Sequence, residues 1–195
     1  MKFKIAVAAD HAGYALKEII KKQLSRDGHE VTDFGTKSAE SCDLPDFAYP
    51  AALSVSEGKC DRAILVDGAG YPSAIIANKV WGVYAATCNE LFSARLAREH
   101  SNANVLCLGG KLIGDGVALQ IVEVFLTVDF LGGKYQGRVD KVKALEKRHL
   151  ADPTMKPREV ITVQDVQQAL LRKESLLINE KTIITPSALD LAKGG

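Results

Sequence analysis

A 195-residue chain that is 47% hydrophobic and 25% charged can bury one core of ordinary size with an appendage, which excludes a disordered protein. Its net charge of +1, with no basic block, argues against a nucleic-acid or membrane-surface binder, and no apolar run reaches transmembrane length. Cys42, Cys60, Cys88 and Cys107 are widely spaced without a CxxC pair, which fits reduced thiols in a cytoplasmic protein better than disulfides or a zinc site.

Residues 4–9 read as a first strand, ended too soon by Asp10-His11-Ala12-Gly13 to be a signal peptide. A helix to Arg26 follows, with Ala15, Leu16, Ile19, Ile20 and Leu24 on one face, and Asp27-Gly28 stops it. Residues 29–34 make a second strand, so the chain opens as a βαβ unit, the signature of a parallel sheet. A polar loop over 38–46 contains Cys42, and a helix over 47–57 ends at Gly58. Residues 63–66 form an apolar strand buried on both faces, closed by Asp67-Gly68-Ala69-Gly70 before a second apolar segment, 74–77.

Residues 82–87 give a fourth strand, and Asn89 is placed to cap a helix to Glu99. The fifth strand, 105–108, ends in Gly109-Gly110-Lys111. Asp115 caps a helix with Val117, Ala118, Ile121, Val122, Phe125 and Leu126 inward. Residues 132–138 read as a loop and 139–149 as a last helix. Five strands alternating with helices specify an α/β doubly wound domain over 1–150. Asp152-Pro153 and Lys156-Pro157 mark a linker to an extension, 151–195, too small to fold alone. In it, 162–172 is amphipathic, 176–178 and 181–184 are short apolar runs, and Thr185-Pro186 opens a final helix.

A strand, a glycine-rich turn and a helix start make an anion cradle, because glycines admit a ligand to the backbone and free N–H groups face it. Asp67 lies at the carboxyl end of that strand. It either meets a ligand there or caps the following helix. Asp10 has the same two readings. His100 is either an acid–base group or a helix C-terminal cation, and Lys134 and Arg138 are either anion ligands or a solvated face.

Four stretches, AADHAG, the DxG turn followed by IANK, GVYAATCNELFSARLAREHSNANVLCLGGK, and GGKYQGRV, occur in this order over residues 3–149. Together they resemble the ribose-5-phosphate isomerase B and galactose-6-phosphate isomerase subunit family. The resemblance implies a Rossmann-like three-layer α/β/α fold with a five-stranded parallel sheet. It also implies a homodimer, or a dimer of dimers, with sites at the subunit interface. The implied activity is aldose–ketose isomerisation of ribose 5-phosphate or a related pentose or tetrose phosphate, with no metal or other cofactor.

Carried onto this chain, the resemblance makes Asp67 the base for enediolate proton transfer, where the family commonly has cysteine, and His100 the ring-opening group. Asp10, His11, Gly68, Ala69, Gly70 and Ser101 would meet the sugar, with Gly68 and Gly70 lending N–H groups to the enediolate. His11, Lys111, Lys134 and Arg138 would hold the phosphate. The reacting end departs from the family: Ala69 replaces a threonine, Pro72 a glycine, Ser73 stands where some members carry a glutamate, and Ser101 replaces an asparagine. The alternative is therefore a non-catalytic phosphosugar-binding or scaffold protein. Residues 185–193, TPSALDLAK, resemble a C-terminal motif of bacterial microcompartment proteins, which implies a shell or partner enzyme that docks on 151–195; a helix sealing the dimer is the other reading.

Overall fold

A computed structural model describes residues 2–150, 159–172 and 175–193. The chain divides into two compact units, Met1–Val142 and Lys143–Gly195. The first runs β1 (Lys4–Ala9), α1 (Tyr14–Arg26), β2 (Glu30–Asp33), α2 (Pro45–Ser56), β3 (Arg62–Asp67), α3 (Tyr71–Ala77), β4 (Ala85–Thr87), α4 (Leu91–Ser101), β5 (Val105–Gly109) and α5 (Asp115–Thr127). A further helix, α6 (Lys134–His149), follows. The five strands pair in parallel in the order β2-β1-β3-β5-β4.

Side-chain alternation along the strands builds the layers. Ile5, Val7, Ile64, Val66, Leu106 and Leu108 point to one face and pack with Leu16, Ile20 and Leu24 of α1, Ala94 and Ala97 of α4, and Ile121 and Phe125 of α5. Ala6, Ala8, Ala63, Leu65, Val105 and Cys107 point to the other, against Ala48, Ala51 and Ala52 of α2 and Ala77 of α3. The doubly wound α/β architecture anticipated from the alternation is the one observed. Cys60, Cys88 and Cys107 are buried, as small core residues.

Several boundaries moved for physical reasons. Lys17, not Ala15, completes the inner face of α1: its ammonium lies 2.7 Å from Asp33 Oδ2 and 2.9 Å from Glu18 Oε1, so a cation is accommodated where the apolar pattern left a gap. Glu90, not Asn89, caps α4, accepting the Phe92 and Ser93 N–H groups; Asn89 instead accepts the Gly109 N–H. Gly114 is the N-cap of α5, and Val117 is 42% exposed. Helix α6 starts five residues earlier than the sequence indicated, because Gly132 and Gly133 take positive φ and complete the turn by themselves.

The second unit contains β6 (Val160–Ile161), α7 (Val163–Arg172), β7 (Ile183–Ile184) and α8 (Pro186–Lys193), with β6 and β7 parallel. Thr162 and Asp165 exchange hydrogen bonds at the start of α7, a reciprocal cap. Ile161, Val166 and Ala188 form a small core of its own. The proposed linker at 152–157 lies outside the described residues, and the apolar run 176–178 forms no strand.

Burial pushes the Asp33 carboxyl up, but hydrogen bonds from Lys17, Lys21 and the Gly35 N–H outweigh it and leave it below its ordinary 3.8. A depressed carboxyl contributes stability that is complete above the unfolded value and disappears as pH falls through the folded one. Wild-type urea midpoints should therefore fall as pH drops below about 4. Lys17→Met should lose about 1–3 kcal/mol at pH 7 and show a shallower acid limb.

Candidate active site

After β1 the chain passes to β2 on one side, and it later returns as β3 on the other. The carboxyl ends of β1 and β3 thus flank a topological switch point, where open parallel sheets form a crevice. Three turns meet there: 10–13, 67–70 and 109–111. A methyl group placed on Gly13 would lie 2.2 Å from the Val66 carbonyl oxygen, and one on Gly110 3.2 Å from that of Ala12. Only glycine permits that approach of backbones. The Lys111 stem and the Ala12 methyl lie 3.6 and 3.7 Å from where a Gly68 side chain would begin, so these residues share one floor.

Asp67 does not face this crevice with a free oxygen. It is 1% exposed. Its Oδ1 accepts the Ala69 and Gly70 N–H groups at 2.7 Å each, and its Oδ2 accepts the Ser73 N–H at 2.9 Å and the Ser73 hydroxyl at 2.5 Å. Four donors occupy the lone-pair sites of a carboxylate. Of its two sequence readings, the helix cap is the one observed, and the carboxylate fills the anion cradle from within. The expectation that Asp67 serves as an accessible base, with Gly70 lending its N–H to a substrate oxyanion, is corrected by these bonds. Among the described residues the Gly68 N–H makes no hydrogen bond to the chain.

Asp10, beside it just after β1, is half-buried and anchored by one oxygen only. Its Oδ1 accepts the Ala12 and Gly13 N–H groups at 2.9 and 3.1 Å, and no hydrogen bond among the described residues reaches Oδ2. His11 accepts the Cys42 N–H on Nδ1 at 3.3 Å. In the neutral ring the proton then sits on Nε2. His11 then offers its Nε2–H at this edge, where the sequence reading placed it on the phosphate. Lys111 is exposed and has no acidic partner among the described residues.

His100, Ser101 and Arg138 sit elsewhere, with Asn78, Tyr84 and Val139, around an open cleft of about 390 Å³. His100 lies in the last turn of α4, and Asn104, just before β5, accepts the Tyr84 N–H at 2.7 Å, so the cleft lies where β4 and β5 begin. Five residues of β5 at about 3.3 Å each put roughly 16 Å between the sheet edges. One chain does not bring His100 to Asp67. Tyr135, which the sequence reading passed over, organises this second cluster: His100 stacks on its ring at 4.1 Å between centroids, and the Lys134 ammonium and Arg138 guanidinium each lie 5.2 Å from it. An aromatic residue flanked by cations at i−1 and i+3 was the available signal. Arg98, its guanidinium pushed down to about 10 by burial, fixes the end of α4 through the Asn102 side chain and the Ala103 and Val128 carbonyls.

Fold and site define a doubly wound α/β protein with a switch-point crevice. The ribose/galactose isomerase family matches residues 5–142, and the chain belongs to it. It is an enzyme of the sugar-phosphate isomerase class. Ribose-5-phosphate isomerase B of Escherichia coli is 41% identical over 74% of this chain and 97% of its own length. D-erythrulose-4-phosphate isomerase of Pectobacterium atrosepticum is 39% identical over 71% and 91%. The crystal structure of ribose-5-phosphate isomerase B from Mycoplasma genitalium with bound ribulose-5-phosphate is 41% identical, covering 75% of this chain and 98% of that one at a TM-score of 0.73. Nearly the whole of each relative is thus spent on the first three quarters of this chain.

Asp67→Asn would turn an amide N–H₂ toward N–H donors at the start of α3. It should cost roughly 2–3 kcal/mol, read as a drop of about 5–10 °C in Tm.

Proposed function

We propose that this chain interconverts an aldose phosphate and a ketose phosphate at sites each built from two subunits. The observation that carries this is the division of chemical groups between opposite sheet edges. Asp10, the His11 Nε2–H, the Gly68 N–H and Lys111 stand at one edge; His100, Lys134 and Arg138 stand at the other. A closed two-fold pair would bring one edge of each chain to the other edge of its partner. Lys111 then meets the phosphate from one side, and Lys134 and Arg138 of the partner subunit meet it from the other, as cations suited to an oxyanion.

A four-carbon substrate suits this site better than a five-carbon one. A pentose 5-phosphate closes to a furanose and needs a group to open it. A tetrose 4-phosphate has its terminal oxygen esterified and stays open. Ala69 offers a methyl where the resembling family carries a hydroxyl for ring opening, and one relative is named for D-erythrulose 4-phosphate. The extension, 151–195, is read as a docking segment for a partner, with Leu171 85% and Ile183 64% exposed as apolar contacts for it.

Two measurements test this. The chain should turn over erythrulose 4-phosphate with a kcat/KM at least about tenfold that for ribose 5-phosphate, a difference of about 1.4 kcal/mol in transition-state binding. Equal rates would remove the four-carbon reading. Mixing and re-forming inactive Arg138→Ala and Lys111→Ala subunits should restore about a quarter of wild-type activity, since half of the pairs are mixed and each holds one intact site. No recovery would remove the shared site.

A further inference from the structure

Resting on the isomerase reading above, we propose that the proton-transfer base of this enzyme is Asp10, through its Oδ2, and not the loop residue Asp67. Isomerisation needs an acceptor that takes a proton from one carbon and returns it to the next, so its atom must be open to the substrate. Asp67 is closed on both oxygens by the Ala69, Gly70 and Ser73 N–H groups and the Ser73 hydroxyl. Ser73 is itself fully buried and committed to that bond. Burial pushes the Cys88 thiol up and the Cys107 thiol well above its ordinary range, so neither is a thiolate. His11 presents a donor, and Lys111 a cation.

Asp10 differs from all of these. Two N–H bonds on Oδ1 hold the side chain in one orientation, while Oδ2 stays unoccupied at the same crevice. Register places it one residue beyond the Ala9–Val66 pair, beside the Asp67 turn. The neighbouring His11 Nε2–H and Gly68 N–H are donors for the oxygen on which negative charge develops. A neutral imidazole in that role, beside a carboxylate base, is the arrangement of triosephosphate isomerase.

The step balances within the substrate. Asp10 Oδ2 takes the C2 proton of the aldose; the C–H electron pair becomes the C1=C2 double bond and the carbonyl π pair moves to O1. This leaves an enediolate and a neutral Asp10. The O2 hydroxyl proton passes to the adjacent O1, the O2 electron pair forms the new carbonyl, and C1 takes the proton back from Asp10. The ketose and the carboxylate result, with no oxidant or reductant consumed.

Asp10→Asn is the direct test, because its amide oxygen still accepts the Ala12 and Gly13 N–H groups. Wild type and variant are incubated with erythrulose 4-phosphate and ribose 5-phosphate in D₂O, and C1/C2 exchange is followed by NMR. Exchange should fall at least about 10²–10⁴-fold, with Tm and the Kd for inorganic phosphate unchanged. Asp10→Glu, which keeps the charge but displaces it, should lose at least tenfold in kcat with KM little moved, a pattern that a structural role would not give. Cys42→Ser, at the half-buried cysteine whose backbone N–H meets His11, should exchange like wild type. Exchange in Asp10→Asn within threefold of wild type, wild-type kcat in Asp10→Glu, or loss in Cys42→Ser alone would overturn the assignment and leave the isomerase reading standing. Absence of exchange in wild type with every sugar phosphate would instead overturn that reading.

Discussion

A carboxylate held away from water requires donors, and Asp67 finds two in the 69–70 turn and two on Ser73 in the first turn of the short helix that follows. Helix α3 is only seven residues long, and its Gly70 N-cap has φ +85° and no capping side chain of its own. The bonds to Asp67 supply what the cap lacks and set the course of the turn after β3. They also remove the Ala69, Gly70 and Ser73 N–H groups from any ligand. That part of the anion cradle is filled by the protein itself, while the Gly68 N–H and, one strand over just after β1, the Asp10 Oδ2 make no such bond among the described residues.

Parallel topology determines the rest of the arrangement. In a βαβ unit the helix returns antiparallel to its strand, so whatever ends a helix lies at the opposite edge from whatever ends a strand. Asp67 ends a strand and Asp10 and Lys111 follow strands, whereas His100 lies in the last turn of a helix. No adjustment of loops in one chain closes a gap of a strand's length. Tyr135, with His100 stacked on its ring and the Lys134 and Arg138 cations beside it, holds the second cluster together.

The C-terminal unit has a packing of its own. The family match ends at residue 142, where the first compact unit also ends, and the second has its own apolar cluster around Ile161, Val166 and Ala188. A core of that size is modest for independent stability. Its capped helices and paired strands nonetheless show local signals agreeing with one another, including Thr162 with Asp165 and Thr185 before Pro186.

The sequence by itself determined the alternation of strands and helices, because period-2 and period-3.6 apolar patterns and glycine stops are local properties of the chain. It also determined which residues are chemically capable: Asp10, His11, Asp67, His100, Lys111, Lys134 and Arg138 were all legible as types in suggestive turns. Start positions were less legible where a backbone turn did the work of a cap, as at Gly132-Gly133, or where a buried Lys17 found a carboxylate sixteen residues away. Only the tertiary structure decided which carboxylate is hydrogen-bonded on both oxygens. Asp10 and Asp67 look alike as residues that end a strand before a glycine turn; a serine folded back from α3 closes one of them, and nothing described closes the other. Hydrogen-bond saturation is a property of neighbours in space, and no spacing along the chain records it.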